Sequence, residues 1–127
     1  MKFSSFFALP HTQTSPLWRP FFYTAASYNL VIGGAGLANA AAPVNDRIVG
    51  LLVACFGIVY ALVGRDAARF GPVLWAGIVG KLGIVALLMP SVLAGSAPAG
   101  TGIILGGDAL FTIGFLVFLL GRRKTRA

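Results

Sequence analysis

Residues 47–64 read RIVGLLVACFGIVYALVG and carry a single charge, on Arg47 at the first position. A helix that crosses a bilayer needs about 20 mostly apolar residues, within a range of about 17–25. Three further runs of this kind flank the stretch, at about residues 20–41, 72–94 and 102–121. The sequence therefore predicts an all-α membrane protein, a four-transmembrane-helix antiparallel bundle.

Composition also favours a membrane protein over a soluble one. Of the 127 residues, 57% are hydrophobic and only 10% are charged, whereas a soluble domain carries about 25% charged residues. The net charge of +7 does not indicate nucleic-acid binding, because the basic residues are scattered or terminal and no aromatic–basic recognition motif accompanies them. The lipid bilayer is the predicted partner, and nucleic acid is not.

The chain divides into a bundle and two flanking segments. Short breaks rich in proline, glycine and charge separate the four runs, at residues 42–46, 65–71 and 95–101. Because these connections are short, we expect sequential helices to be antiparallel neighbours. The predicted organisation is an N-terminal arm at 1–18, a transmembrane bundle at 19–122 and a basic tail at 123–127.

Residues near the breaks indicate where helices begin and end. Asn45 or Asp46 is expected to cap the second helix, and Thr101 the fourth, because short polar side chains satisfy free backbone amides there. Pro72 suits the first turn of the third helix. Pro90 is expected to kink or end that helix, since proline lacks an amide hydrogen.

The distribution of lysine and arginine predicts the orientation of the bundle. Cytoplasmic loops of membrane proteins are enriched in these residues. The side opposite the basic cluster has one cation, Arg47, whereas the other side collects Lys2, Arg19, Arg65, Arg69 and the run 122–126. Both termini are therefore predicted to be cytoplasmic.

The N-terminal arm is poor as a signal peptide, because polar residues and a proline interrupt it before any apolar run forms. We expect the arm to be retained. Phe3, Phe6 and Phe7 recur at helical spacing beside Lys2, and Trp18 precedes the first span. The arm is expected either to lie in the headgroup region or to form a frayed tail.

Polar residues within the apolar runs are the candidate functional residues. Inserting an ionisable group at the bilayer centre costs about 2.5–3.5 kcal/mol of free energy. The predicted spans put Lys81 and Asp108 near this depth. At 1.5 Å per residue they lie about 14 Å and 20 Å from the cytoplasmic helix ends, which a lysine side chain can bridge. Asn29 lies at a similar depth, so the sequence predicts an intramembrane polar cluster of Asn29, Lys81 and Asp108. Tyr60, nearer the cytoplasmic end, is predicted to be an interface anchor.

The Lys81–Asp108 pair admits two interpretations. It can relay protons or ions, or balance the charge of a bound substrate. It can instead be a satisfied pair that fixes the register of two helices. A lysine opposite a carboxylate also resembles a Schiff-base chromophore site, but four short helices enclose little space for such a ligand. No cofactor is predicted.

Small residues are frequent in every predicted span. In lipid, close approach of helices depends on such residues, as in the GxxxG pattern. Gly77 lies one turn before Lys81 on the same helix face. The predicted helix-packing positions are Gly33, Gly50, Gly57, Gly77, Gly102 and Gly106.

One face of the fourth predicted helix is aromatic. Asp108, Phe111, Phe115 and Phe118 recur at intervals of three and four residues, so they share that face. The three phenylalanines are predicted to form either the interior of the bundle or a surface that a partner helix or lipid covers.

Several chemistries lack their residues. The only histidine, His11, lies in the arm, so paired-histidine haem ligation and a serine–histidine relay within the membrane are excluded. The only cysteine, Cys55, excludes an intrachain disulfide and is expected to be a packing residue. No metal site is predicted, and the protein is expected not to be an enzyme.

Four short segments carry a family resemblance. They are YNLVIGG at 28–34, FGIVY at 56–60, GKL at 80–82 and GDALF at 107–111. With these segments the chain resembles small uncharacterised bacterial four-helix inner-membrane proteins, distantly similar to the DoxX-like group. The resemblance implies a bacterial inner-membrane bundle and, because that group is functionally mixed, no particular activity. The chain lacks the first-helix glutamate expected of small multidrug exporters, which counts against membership of that family.

The expected function is that of a non-catalytic integral membrane subunit or accessory protein of a larger membrane complex. Its expected partners are other membrane subunits or further copies of itself. The alternative is a small oligomeric proton-coupled transporter or channel that uses Lys81 and Asp108.

Overall fold

A computed structural model describes the backbone of residues 16–124 and the side chains of residues 16–122. Regular structure in this range is helical throughout: α1 (Trp18–Ala38), α2 (Val44–Arg65), α3 (Ala67–Phe70), a 3₁₀ turn (Gly71–Val73), α4 (Leu74–Leu93) and α5 (Thr101–Lys124). The predicted interfacial phenylalanines Phe3, Phe6 and Phe7, together with His11, lie outside the described residues.

Three helical segments of the described chain are long and apolar enough to cross a membrane: Val44–Arg65, Ala67–Leu93 and Thr101–Arg122. Their apolar stretches are only 28%, 17% and 33% buried within the protein. Large apolar side chains therefore face outward, among them Leu87 at 79% and Ile103 at 83% exposure. Exposed apolar surface on this scale needs lipid or another membrane protein to cover it. These are the properties of a multi-pass membrane protein.

Helix α1 is not one of these three segments, although it has 21 residues. Polar side chains along α1 lower its hydropathy. Thr24 and Ser27 direct their hydroxyls back to carbonyls of the preceding turn, at Pro20 (2.7 Å) and Tyr23 (2.9 Å). Hydrogen bonds from side-chain hydroxyls to backbone carbonyls of the same helix satisfy these hydroxyls without water.

The described chain divides into two compact units, one ending at Gly71 and the other beginning at Pro72. In the first, α1 and α2 form an antiparallel hairpin whose backbones touch at glycines. A Cβ added to Gly33 would collide with the backbone of Ala54, and one added to Gly50 would lie 2.6 Å from the Leu37 nitrogen. A Cβ added to Gly57 would lie 2.9 Å from the Ala26 carbonyl oxygen. The glycines thus allow the close approach that replaces a hydrophobic driving force in lipid.

In the second unit, α4 and α5 form the other hairpin. The buried face of α4 consists of Leu74, Gly77, Ile78 and Lys81, which recur at helical spacing. The connection leaves α4 through Gly95, which has a φ of +74°. Glycine adopts this left-handed conformation without the steric cost of a Cβ.

The helix boundaries differ from the predicted ones at several positions. Helix α2 begins at Val44 with Pro43 at its N-cap, so Asn45 and Asp46 lie within its first turn and neither caps it. The Asp46 carboxylate still interacts favourably with the positive end of the helix dipole. Thr101 is the first residue of α5 and does not precede it as a cap. Pro90 lies inside α4, which continues to Leu93.

The predicted break at residues 65–71 is largely helical. Asp66 adopts extended backbone angles (φ −148°, ψ 82°), which ends α2. Its carboxylate then accepts a hydrogen bond from the Arg69 amide (3.1 Å), which begins α3. The sequence prediction recognised the charge of this segment but not its capping residue.

At the opposite end of the α1–α2 hairpin, Arg47 has a structural role. Its Nε donates a hydrogen bond to the Leu37 carbonyl in the last turn of α1 (2.9 Å). A cation at a helix C-terminus also interacts favourably with the helix dipole. Arg47 therefore completes the end of α1.

Candidate functional site

The candidate site lies between α4 and α5 in the second unit. Lys81 is on the buried face of α4, seven residues after Leu74 and four after Gly77. Asp108 is on the buried face of α5 with Leu105 and Thr112, three residues before it and four residues after it. Helical periodicity on both sides therefore directs these two charged residues to the interior.

The two charged side chains are in direct contact. Lys81 Nζ donates a hydrogen bond to Asp108 Oδ1 at 2.6 Å. The Lys81 side chain is 6% exposed and that of Asp108 is 9% exposed, so this ion pair is buried. Charge-assisted hydrogen bonds of this length are the strong ones in proteins.

Two neighbours on α5 complete the surroundings of the pair. The Lys81 ammonium lies 5.7 Å from the centroid of the Phe111 ring, within the range of a cation–π interaction. The Thr112 hydroxyl donates to the backbone carbonyl of Asp108 at 2.8 Å. The charges of the pair are thus compensated by each other and by adjacent groups of the same hairpin.

Asn29 belongs to the first unit, where its side-chain amide donates to the Val53 carbonyl at 3.2 Å. This bond joins α1 to α2 at a buried position. The three-residue cluster of Asn29 with Lys81 and Asp108 stays a prediction.

The buried polar groups of the described chain are Asn29, Lys81, Asp108 and Thr112. Each is hydrogen-bonded, and within the described residues no fully buried side-chain nitrogen or oxygen lacks a partner. Lipid cannot satisfy such groups, and an unpaired one costs several kcal/mol there. The buried ion pair therefore joins α4 to α5 with its polar atoms satisfied inside the protein.

The predicted packing glycines fall into two groups. Gly33, Gly50 and Gly57 lie at the α1–α2 contact, and Gly77 is buried on α4. On α5, a Cβ at Gly102 would touch the Val92 side chain at 3.4 Å, whereas a Cβ at Gly106 would meet nothing within 4 Å. Among the described residues, the GxxxG pair of α5 therefore makes no close backbone contact.

The aromatic face of α5 turns mostly inward. Phe115 is 0% and Phe118 is 3% exposed, so neither forms a partner-facing or lipid-facing surface. Phe111 is half-buried and stacks obliquely on Phe115, with ring centroids 6.4 Å apart. Of the two predicted alternatives for this face, these exposures correspond to the interior.

Two residues lie differently from their predicted places. Tyr60 is 1% exposed and contacts the Phe56 ring at 6.1 Å, so it is a core residue and not an interface anchor. Its position three residues after Gly57 and four before Gly64 put it on the glycine face, which is the signal that was missed. Cys55 is exposed on α2 and so does not pack within the described part of the chain.

Sequence reasoning also missed Thr112. Its hydroxyl bonds to the carbonyl of Asp108, one turn earlier. The spacing of four residues is the pattern in which threonine bonds back within a helix, and it was available from the sequence.

No group of three or more potential metal ligands occurs within the described part of the chain. Comparison with protein-family models, with curated proteins and with solved structures finds no match to this chain.

Proposed function

We propose that this protein is a non-catalytic integral subunit or accessory protein of a larger membrane complex in the bacterial inner membrane. It crosses the membrane four times, with both termini in the cytoplasm. The DoxX-like resemblance, which implies the same fold and location, is part of this proposal.

The observation that carries the proposal is the contrast between the interior and the outer surface. Every buried polar side chain of the described residues is hydrogen-bonded. At the same time, about two thirds or more of the residues in each apolar span are not buried within the protein. A chain with satisfied polar groups and extensive apolar faces is suited to association within the bilayer.

The α1 helix supports a count of four spans. Its 21 residues measure about 31 Å, close to the thickness of the hydrocarbon core. The polar side chains that lower its hydropathy are bonded to backbone carbonyls, through Thr24, Ser27 and Asn29. Their cost in lipid is therefore smaller than hydropathy alone implies.

The arginines of the first hairpin support the orientation. Arg19 is the second residue of α1 and Arg65 is the last residue of α2, so both belong to the same end of an antiparallel hairpin. Arg47, at the other end, is used to complete α1. Reporter fusions test this orientation. A reporter that is active only in the cytoplasm should be active at either terminus. A reporter that is active only outside the cytoplasm should be active when it is inserted in the 39–43 connection.

Extraction under native conditions tests the accessory function. The protein, tagged and expressed at its chromosomal level, is extracted in a mild detergent, sized and examined by mass spectrometry for bound subunits. Stoichiometric co-purification of another membrane protein supports the proposal. Recovery as a lone chain or a homo-oligomer contradicts it.

The buried Lys81–Asp108 pair favours one second candidate, a small oligomeric proton-coupled transporter or channel. Ionisable residues inside spans often mark proton or ion paths, and four helices would need further copies to enclose one. The test is proton flux in liposomes with the wild type and Asp108→Asn. Flux that requires Asp108 in a folded protein supports transport, and flux unchanged by the substitution excludes a relay through the pair.

A further inference from the structure

We propose that one end of the α1–α2 hairpin binds the phosphate of anionic glycerophospholipids. The binding surface is a basic patch formed by Arg19 and Arg65. This proposal is independent of the complex that the protein joins and of any proton movement through the α4–α5 pair.

Packing within the first unit brings the basic patch together. A Cβ added to Gly64 would lie 3.3 Å from the ring of Tyr23, so the last turn of α2 packs beside the first turns of α1. Arg65 follows Gly64 directly, and Arg19 lies one turn before Tyr23. Both arginines are exposed and lie at the same end of the hairpin.

The chain has little acid with which to balance this charge. It has ten lysines and arginines but only three acidic residues. Asp108 is bound to Lys81 inside the second unit. Asp46 lies in the first turn of α2, at the opposite end of the hairpin from the basic patch.

The third acid, Asp66, lies beside the basic patch but serves as a helix cap. Its Oδ1 accepts the hydrogen bond from the Arg69 backbone amide at 3.1 Å. Among the described side chains, neither Arg19 nor Arg65 forms an ion pair within 4.0 Å. An external anion is therefore the natural counter-charge of the basic patch.

Aromatic rings beside the arginines indicate that this anion belongs to a lipid. Trp18 packs edge-on against Phe21, with ring centroids 5.4 Å apart, at the start of α1. The Arg69 guanidinium lies 5.2 Å from the centroid of the Phe70 ring. Short helix α3, which carries Arg69 and Phe70, has no buried residue.

This combination fits the boundary between headgroups and acyl chains. Tryptophan is enriched at that level of the membrane, and long basic side chains extend from it toward the headgroups. The guanidinium group binds phosphate oxygens in a two-point geometry. A soluble phosphate would use the arginines but would gain nothing from the rings.

The test uses fluorescence of the full-length protein in bilayers. The chain has two tryptophans, so a Trp75→Phe background leaves Trp18, which adjoins the basic patch, as the reporter. Bilayers of phosphatidylcholine contain either phosphatidylglycerol or phosphatidylcholine brominated near the headgroup, at equal mole fraction. Bromine quenches tryptophan only at short range, so quenching reports which lipid lies beside Trp18.

We expect brominated phosphatidylglycerol to quench Trp18 more strongly than brominated phosphatidylcholine. One arginine near an anionic surface changes the relative affinity about fivefold, which corresponds to about 1 kcal/mol. Arg65→Gln should therefore lower the preference about fivefold, and Arg19→Gln with Arg65→Gln about 25-fold. Salt at about 1 M, where the screening length falls to about 3 Å, should remove most of it in the unsubstituted patch.

Arg47→Gln is the matched control, because it removes the same charge at the other end of the hairpin. It should leave the quenching preference unchanged, and 10-fold excess inorganic phosphate over anionic lipid should not abolish the preference. Equal quenching by the two brominated lipids would overturn the proposal. So would an equal loss of preference on Arg47→Gln, or complete competition by inorganic phosphate.

Discussion

Replacing Asp108 by asparagine removes the carboxylate that pairs with the Lys81 ammonium. The atoms Lys81 Nζ and Asp108 Oδ1 are 2.6 Å apart, and the lysine side chain is 6% exposed. At an effective dielectric constant of about 20, unit charges at this distance attract by about 6 kcal/mol. Desolvation offsets part of this attraction, and removing one partner of a buried pair costs about 3–5 kcal/mol.

We therefore expect Asp108→Asn to lower the free energy of unfolding by about 3–5 kcal/mol, and Lys81→Met by a similar amount. The double variant leaves no buried charge, so it should lie within about 1–2 kcal/mol of the wild type. The assay is SDS titration in mixed micelles, followed by tryptophan fluorescence.

Thr112→Val is the control for loss of a buried polar group on the same helix. It removes a hydroxyl that bonds within α5, so it should cost no more than about 1 kcal/mol. Single pair variants that cost less than about 1 kcal/mol would refute the reasoning. A double variant whose loss equals the sum of the single losses would also refute it, because the two residues would then be energetically independent.

Three further predictions concern the hairpins, with unfolding measured in the same way. Gly33→Ala should lower the free energy of unfolding by about 1–3 kcal/mol, because the added Cβ collides with the α2 backbone. Gly34→Ala is the control: its Cβ meets nothing within 4 Å, so it should be neutral or slightly stabilising. Equal effects of the two substitutions would contradict the tight contact at Gly33. Arg47→Met should cost about 1–2 kcal/mol through the lost bond to the Leu37 carbonyl, and no cost would show that the bond is not formed. Gly95→Ala should cost about 1–2 kcal/mol at φ +74°, with a smaller loss for Gly95→Asn, since asparagine tolerates this conformation better; the reverse order would contradict it.

The sequence was sufficient to predict a helical chain with long apolar helices, because lipid demands long uncharged runs and these are visible in any window of the right length. It was also sufficient to select Lys81 and Asp108. Charges in such runs are rare, and antiparallel helices joined by a short break bring similar depths together. Because one lysine side chain can span the remaining difference in depth, a direct bond between Lys81 and Asp108 was the simplest prediction.

Capping details were not predictable in the same way. Asn45, Asp46 and Thr101 are all good caps by residue type, but the chain uses Pro43 for α2 and starts α5 at Thr101 itself. Competing polar residues within one turn have similar capping energies, so packing of the hairpin decides among them. Asp66 is ambiguous in the same way, because aspartate is common both in a loop between helices and at the N-cap of a new helix.

The faces of the helices were only partly predictable. A helix in lipid needs no polar face, so apolarity does not tell which side is inside. The wrong prediction for Cys55 and the two alternatives for the phenylalanines of α5 have this cause, whereas Tyr60 was assigned from its depth near the cytoplasmic end. Glycine positions carry the missing information on α2, because Gly50, Gly57 and Gly64 mark the packed face that also contains Tyr60.

The accessory function is tested most directly by photo-crosslinking in living cells at outward-facing positions. A photoreactive residue replaces Leu52 (56% exposed), Ile58 (57%), Val79 (71%) or Leu110 (70%) in turn, with buried Phe115 (0%) as the negative control. We expect one or more of these faces to crosslink to the same second membrane protein, with neighbouring positions at helical spacing also reacting. Adducts only with lipid or with further copies of this chain, at every exposed position, would contradict a role as a subunit of a larger complex.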